Sequence, residues 1–374
     1  MELTRHGPEF RNIKKILLIK LKHIGDVLLT TPCIRTLHET FSNAKISFLV
    51  NEGTEAMLQY HPLLEEVLRF PRSSMRHLSF GARAIAEFRF ANEIRKRKFD
   101  MIVDLTSADR AAWLGWWSGA HYRVAYDPQG KGFLGKRMFY THLALPPNNP
   151  DEHEVQKNLG LLKAFEMSPR DPRMELHLAD ADVAKADEVL NGFGLKSEKE
   201  ITLGQRNFII FHPTSRWLFK CWENSRCAAL IDWIQAKLKI PVLITCGPDL
   251  REQARAHEIL ALTRTQPRSL IGQLTLTQWA AVAAQARLFI GVDSAPMHIA
   301  ASQGTPSLAF FGPTGFQNWR PWAVEHTVLV HDCPCSRDRK SHCDWTRTRA
   351  CMAAITLEEA QHAVAQLLHL EIAA

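Results

Sequence analysis

The sequence predicts an α/β protein of two doubly wound domains, and three observations carry that expectation. Strand-length apolar runs alternate with segments of helical period over residues 15–50. The same alternation returns after Phe208. Between the two halves, the stretch MSPRDPRMELHLADAD breaks the periodicity with proline and charge, as linkers do.

The elements follow in order. KILLIKL, from Lys15 to Leu21, is an apolar run of strand length. The loop KHIGD leads from it into VLLTTPCIRTLHETF, whose apolar residues recur at helical spacing, and KISFLV supplies the next strand. This is one βαβ unit of a parallel sheet. Asp26 falls at its strand-to-helix turn. Capping the helix is the common job for an Asp there; a carboxylate at the ligand-binding edge of the sheet is the functional alternative. Between Arg69 and Lys98 the chain is rich in arginine and lysine, ending in RKRK before a strand at Phe99 to Leu105. A solvated helix face accounts for such a run, and so does a surface for an acidic membrane or a phosphorylated acceptor. Trp113, Trp116 and Trp117 share a helical stretch, as a core stripe or the lining of a groove. Asp151 to Phe165 reads as a helix with acidic residues in its first turn, closing a first domain of residues 1–170.

The second domain, residues 171–352, places strands at Phe208 to Phe211 and Pro241 to Thr245, with helices starting near Glu223, Leu250 and Thr275. FIGVDSAPMHIAASQGTPSLAFFGPTG then compresses a strand, a charged turn, a short helix and a strand into very few residues. Pro296 is tolerated in a first helical turn, Gly304 supplies the left-handed position that ends the helix, and GPTG closes the second strand. Residues Ser294, Ala295, Pro296 and Met297 fall at a helix N-terminus at the carboxyl end of a strand, where an anion is favoured. A final amphipathic helix, Ile355 to Leu370 within residues 353–374, is expected to pack back across the first domain.

With 374 residues, 46% of them hydrophobic, the chain can bury two cores. Its formal charge of +7 fits anionic small molecules, an acidic membrane face or nucleic acid. GxxxxGK[ST] does not occur, which disfavours a phosphate loop, and GxGxxG occurs once, as GKGFLG from Gly130 to Gly135, away from the strand-to-helix turn of the first βαβ unit where a dinucleotide fold would carry it. The N-terminus carries no apolar core of signal-peptide length, and no run approaches the ~20 apolar residues of a membrane span. The expected location is cytoplasmic, with peripheral association at a membrane.

Two more clusters fall at expected strand ends: HPTSRWLFKCW, from His212 to Trp222, and TCGPD, from Thr245 to Asp249. Thr214, Ser215 and Lys220 offer hydroxyl donors and a point positive charge, which suit a phosphate. Taken singly, Lys220 reads as a solvated loop lysine and Trp222 as a domain anchor. Their convergence with Asp293 on one sheet edge favours a site.

KHIGDVLLTTP, HPTSRW followed by K-x-W, GVDSAPMHIAA and FFGPTG, in this order, resemble the ADP-heptose:lipopolysaccharide heptosyltransferases of glycosyltransferase family 9 from about Lys14 to the C-terminus. The cysteine-bearing tail suggests the heptosyltransferase III branch, which adds a side-branch heptose. The resemblance implies a GT-B fold of two Rossmann-like domains facing a central cleft, with acceptor on the N-terminal and ADP-sugar on the C-terminal domain. It implies inverting, metal-independent transfer of heptose from ADP-L-glycero-D-manno-heptose to the lipopolysaccharide inner core, with no cofactor, at the cytoplasmic face of the inner membrane. Asp26 would be the general base. Lys220, Thr214 and Ser215 would contact the phosphates together with the helix N-terminus at Ser294 to Met297; Asp293 would orient the donor sugar or the turn, and His298 would lie beside the diphosphate. The segment Gly247 to Asp249 would border the nucleoside. The alternatives are another nucleotide sugar or heptose position on the same fold, and a noncatalytic sugar- or nucleotide-binding protein. Nucleic acid is not an expected partner.

Cys333, Cys335, Cys343 and Cys351, with His342 beside Cys343, lack the paired knuckles of a typical zinc site. Unlinked cytosolic thiols are the expected reading, with a structural metal or a redox-sensitive disulfide as the alternative.

Overall fold

The computed structural model describes residues 10–195, 207–332 and 350–370, and the chain divides into two compact units, Met1–His177 and Leu178–Ala374. The boundary expected from the sequence, between residues 170 and 171, lies a few residues earlier. The segment up to His177 stays with the first unit because Arg35 pairs with Asp171 and Glu175, and the Glu175 amide donates to the Thr31 hydroxyl at 2.9 Å.

The first unit holds a six-stranded parallel sheet formed by β1 (Lys15–Lys20), β2 (Lys45–Asn51), β3 (Leu64–Phe70), β4 (Met101–Asp104), β5 (Tyr122–Tyr126) and β6 (His142–Ala144), in the order β3-β2-β1-β4-β5-β6. Ile16 to Ile19 are fully buried, as a central strand covered on both faces requires, and an uninterrupted apolar run supplies that. The helix expected from Val27 onward is two helices, Ile24–Leu28 and Thr31–Thr40. Pro32 explains the break: it lacks an N–H and is accommodated in the first turn of a new helix.

The second unit repeats the design with β7 (Ile209–His212), β8 (Val242–Cys246), β9 (Arg268–Ile271), β10 (Leu288–Val292), β11 (Ser307–Phe311) and β12 (His326–Val330), ordered β12-β11-β10-β7-β8-β9 and parallel throughout. Trp222 is an anchor here: fully buried, it stacks on Phe310 at 4.7 Å between centroids and donates its indole N–H to the Ile355 carbonyl at 3.0 Å. The final helix, Leu357–Leu367, also spends its apolar face in this unit, with Ala360, Ala363, Val364 and Leu367 in the same core as Trp222. In β10, Gly291 is required by close approach, since a Cβ there would meet the Phe289 ring at 2.4 Å and the His212 carbonyl at 2.9 Å. Gly304 has φ +73°, the left-handed stop expected for the short helix Ala295–Ser302. Among the described residues, no helix is long and apolar enough to cross a membrane.

Candidate active site

Both sheets reverse their strand order once, between β1 and β4 in the first unit and between β7 and β10 in the second. The crevice outside the carboxyl ends of the strands at such a reversal is where doubly wound sheets bind ligands. Asp26 follows β1; Thr214, Ser215 and Lys220 follow β7; Asp293 follows β10.

In the second unit, Lys220 Nζ donates to Asp293 Oδ2 at 2.7 Å, and the Thr314 hydroxyl donates to the same oxygen at 2.7 Å. The pair is largely withdrawn from water, with side-chain exposures of 16% and 8%. An ammonium carries three donors, so Lys220 keeps two for a ligand. Thr214 is fully buried and donates to Glu252 Oε2 at 3.0 Å, while Ser215 Oγ accepts the Trp217 amide at 3.3 Å. Glu252 is itself buried, which raises its carboxyl above the usual range; the bond from Thr214 opposes the shift.

Neither Asp293 nor Ser294 caps the helix Ala295–Ser302 through its side chain. Ser294 is the N-cap by position, but its hydroxyl donates to the Val292 carbonyl at 3.1 Å. Pro296 contributes no N–H and the Met297 amide donates to the Ser294 carbonyl at 3.1 Å, which leaves the amides of Ser294 and Ala295 as the pair a ligand can use. His298 is buried in the first turn with its ring edge-on to Trp319 at 6.4 Å.

In the first unit Asp26 both caps and faces the sheet edge. The His23 amide donates to its Oδ2 at 3.3 Å, one half of a capping box, and Lys22 Nζ stands 3.8 Å from Oδ1. Beneath this loop the ammonium of Lys20 is buried, donating to the Leu105 carbonyl and Asn158 Oδ1 at 3.0 Å each and to Glu154 Oε1 at 3.3 Å. Burial lowers its pKa, with Glu154 and Asp26 pulling the other way. Asp104, at the end of β4, is buried and accepts from Tyr140 Oη at 2.5 Å and from the Thr106 amide at 2.7 Å. Burial raises its pKa against those bonds.

Sequence reasoning did not single out Glu252, Lys20, Asp104 or Thr314. Glu252 carried a faint signal, an acid just inside a helix that starts at the TCGPD strand end. Lys20 lay hidden inside an apolar run, where it reads as a strand residue facing water.

Among the described residues, His61, Glu175 and His177 bring three potential ligand atoms within 4.8 Å of one another. The protons argue for ion pairing there. The Leu63 amide donates to His61 Nδ1 at 3.3 Å, so the neutral ring carries its proton on Nε2, 3.2 Å from Glu175 Oε2 but outside hydrogen-bond alignment. Arg35 holds the other carboxylate oxygen. Burial, with His177 and Arg35 nearby, lowers His61 to about 4, and burial alone lowers His212 to about 3. His212 Nδ1 meets the Thr245 hydroxyl at 2.8 Å, and that hydroxyl also accepts the Trp279 indole N–H at 3.1 Å.

Both rings are neutral when folded and bind a proton near pH 6.5 when unfolded. Stability is therefore complete above about pH 6.5 and falls as the pH drops toward 4, by up to about 1.4 kcal/mol per pH unit for each histidine. Melting profiles from pH 7 to 4 should be less steep for His212→Asn than for wild type; equal slopes would show that His212 is not withheld from protonation.

Of the tail cluster, Cys351 is buried in the second core, and Cys333, Cys335 and Cys343 lie outside the described residues.

The sequence profile of glycosyltransferase family 9 (heptosyltransferase) matches residues 87–348. The chain belongs to that family. It is similar to lipopolysaccharide heptosyltransferase 3 of Escherichia coli, 32% identical over 302 residues that cover 80% of this chain and 84% of the relative. Among solved structures, a family 9 glycosyltransferase from Veillonella parvula DSM 2008 superposes with a TM-score of 0.78 at 21% identity, covering 95% of this chain and 97% of that one. E. coli heptosyltransferase WaaC, solved with ADP, gives 0.71 at 18% identity, covering 94% and 99%. The family 9 chain is thus a glycosyltransferase with the GT-B α/β fold expected from its motifs.

Proposed function

We propose that this family 9 protein transfers heptose from ADP-L-glycero-D-manno-heptose to the inner core of lipopolysaccharide, adding the side-branch heptose, by an inverting and metal-independent reaction. The observation that carries the reading is the Lys220–Asp293–Thr314 cluster beside a helix N-terminus at the strand-order reversal of the second sheet, in a chain 32% identical to a lipopolysaccharide heptosyltransferase 3. A partly buried cation and the amides of a helix N-terminus at that edge suit a diphosphate.

In this reading an acceptor hydroxyl oxygen attacks C1 of the heptose from the face opposite the diphosphate. The bond from C1 to the phosphate oxygen breaks, and ADP leaves with its electron pair. Asp26 takes the hydroxyl proton as that oxygen becomes acidic; an ordinary carboxylate suffices when it is correctly placed. The two spare donors of Lys220, the hydroxyl of Ser215, and the amides of Ser294 and Ala295 bear the charge developing on ADP, with His298 alongside the diphosphate; Thr214, whose one proton goes to Glu252, acts by holding that carboxylate. Asp293 holds Lys220 in position and orients the sugar hydroxyls. Glu252, beside Thr214 and Gly247, is the carboxylate suited to a ribose diol. The acceptor carries a lipid, which puts the work at the cytoplasmic face of the inner membrane. No resident metal or cofactor enters the proposal.

The purified protein should form product from ADP-heptose and truncated core acceptors and none from UDP-sugars. Product from a UDP-sugar alone would replace the donor assignment while leaving the fold and mechanism intact.

A further inference from the structure

We propose that the helical surface over residues 72–96, together with the aromatic cluster beside it, docks this protein on an anionic lipid bilayer. Residues 69–98 contain nine Lys and Arg against two Glu, a net of +7, which equals the formal charge of the whole chain. The excess positive charge is thus concentrated in one short segment. Both acids are already engaged, Glu87 by Arg83 and Arg110 at 3.3 and 2.9 Å, and Glu93 by Lys96 at 2.7 Å.

Charge alone describes a solvated face, but this one is also apolar. On the helix Phe80–Lys96, Ala91 and Ile94 are buried while Phe80 is 91% and Ile85 56% exposed, with Phe88 and, just before the helix, Leu78 also open to solvent. A helix packed on a sheet ordinarily turns such side chains inward. Ile85, Arg89, Asn92 and Lys96 recur at helical spacing on one outward stripe, and a groove of about 760 Å³ opens along Arg89, Asn92 and Lys96.

The apolar surface continues beyond the helix. Phe88 meets the Trp117 ring at 4.5 Å, Trp117 lies 6.0 Å from Trp116, and Trp116, half exposed, stacks on Phe139 at 5.1 Å. Arg95 sits over Trp117 at 5.7 Å, and next to Phe139 the Met138 side chain is 81% exposed. Tryptophan with arginine and exposed aliphatic groups is the composition of a membrane interface: rings settle at headgroup level, apolar tips enter the acyl boundary, and basic groups meet anionic lipid. A soluble polyanion would match the charge and leave Phe80, Ile85 and Met138 unexplained. Bilayer docking goes beyond sugar transfer, and its readout needs neither donor nor acceptor.

Full-length protein should co-sediment with vesicles of phosphatidylethanolamine and phosphatidylglycerol, and not with phosphatidylcholine alone, with tryptophan emission shifting to the blue on binding. The variants Phe80→Ser/Ile85→Ser and Arg76→Glu/Arg89→Glu, all at exposed positions, should each lower partitioning about tenfold or more while the melting temperature stays at the wild-type value. Partitioning that survives Phe80→Ser/Ile85→Ser overturns the proposal in favour of a purely electrostatic anion surface. So does the absence of binding to phosphatidylglycerol vesicles, and so does a vesicle-free dimer that either variant dissolves.

Discussion

Asp26→Asn will lower turnover by roughly 10²–10⁴-fold, the range removed with a positioned general base, while the affinity for ADP stays close to wild type. Asparagine keeps an oxygen to accept the His23 amide, the bond that starts the helix Ile24–Leu28, so the loop retains its form. What it lacks is the ability to take a proton. The loss should therefore appear in kcat, with KM for the donor little changed. Turnover within a few-fold of wild type would remove Asp26 from the base role and reduce it to the helix cap that its position also allows.

Lys220→Ala should weaken both donor binding and turnover. Loss of a charge-assisted contact to the diphosphate corresponds to about 1.5–3 kcal/mol of affinity, and loss of charge stabilisation on the leaving group to a further fall in kcat of roughly 10²-fold. A structural consequence accompanies these. Asp293 would be left largely buried with Thr314 as its remaining charge-neutral partner, and breaking a buried pair from one side costs about 3–5 kcal/mol in other proteins. Calorimetric titration with ADP, together with a melting curve, separates the two effects. The double variant Lys220→Ala/Asp293→Asn should recover part of the stability and none of the activity. Unchanged ADP affinity in Lys220→Ala would mean that its ammonium serves only Asp293.

The strands legible in the sequence are those at the centre of each sheet. β1, β2, β4, β7, β8, β10 and β11 are continuous apolar runs because helices cover both of their faces. The four edge strands β3, β6, β9 and β12 escaped, and their composition explains why: LEEVLRF and RSLI carry charge, HLA is short, and HTVLV opens on two polar residues, as suits strands with an unpaired side. β5, YRVAY, sits next to such an edge and has the same weakness.

The site divides in a similar way. Asp26, Lys220 and Asp293 were legible because each interrupts or follows an apolar run at a strand end, where a charged side chain calls for a reason. The partners that hold them were not. Thr314 lies 21 residues from Asp293, and Glu252 lies 38 residues from Thr214; only the fold brings them together. The basic segment at Arg69 to Lys98 shows the limit of composition most clearly, since sequence reveals the charge, while only the structure shows that Phe80 and Ile85 stay outside.

The most direct test of the account is the structure of the lipopolysaccharide core made by a strain lacking this protein. Mass spectrometry should find the core short of one side-branch heptose, with the sugar restored by the wild-type chain and not by Asp26→Asn. A core of unchanged composition, or one missing a sugar other than heptose, would contradict it.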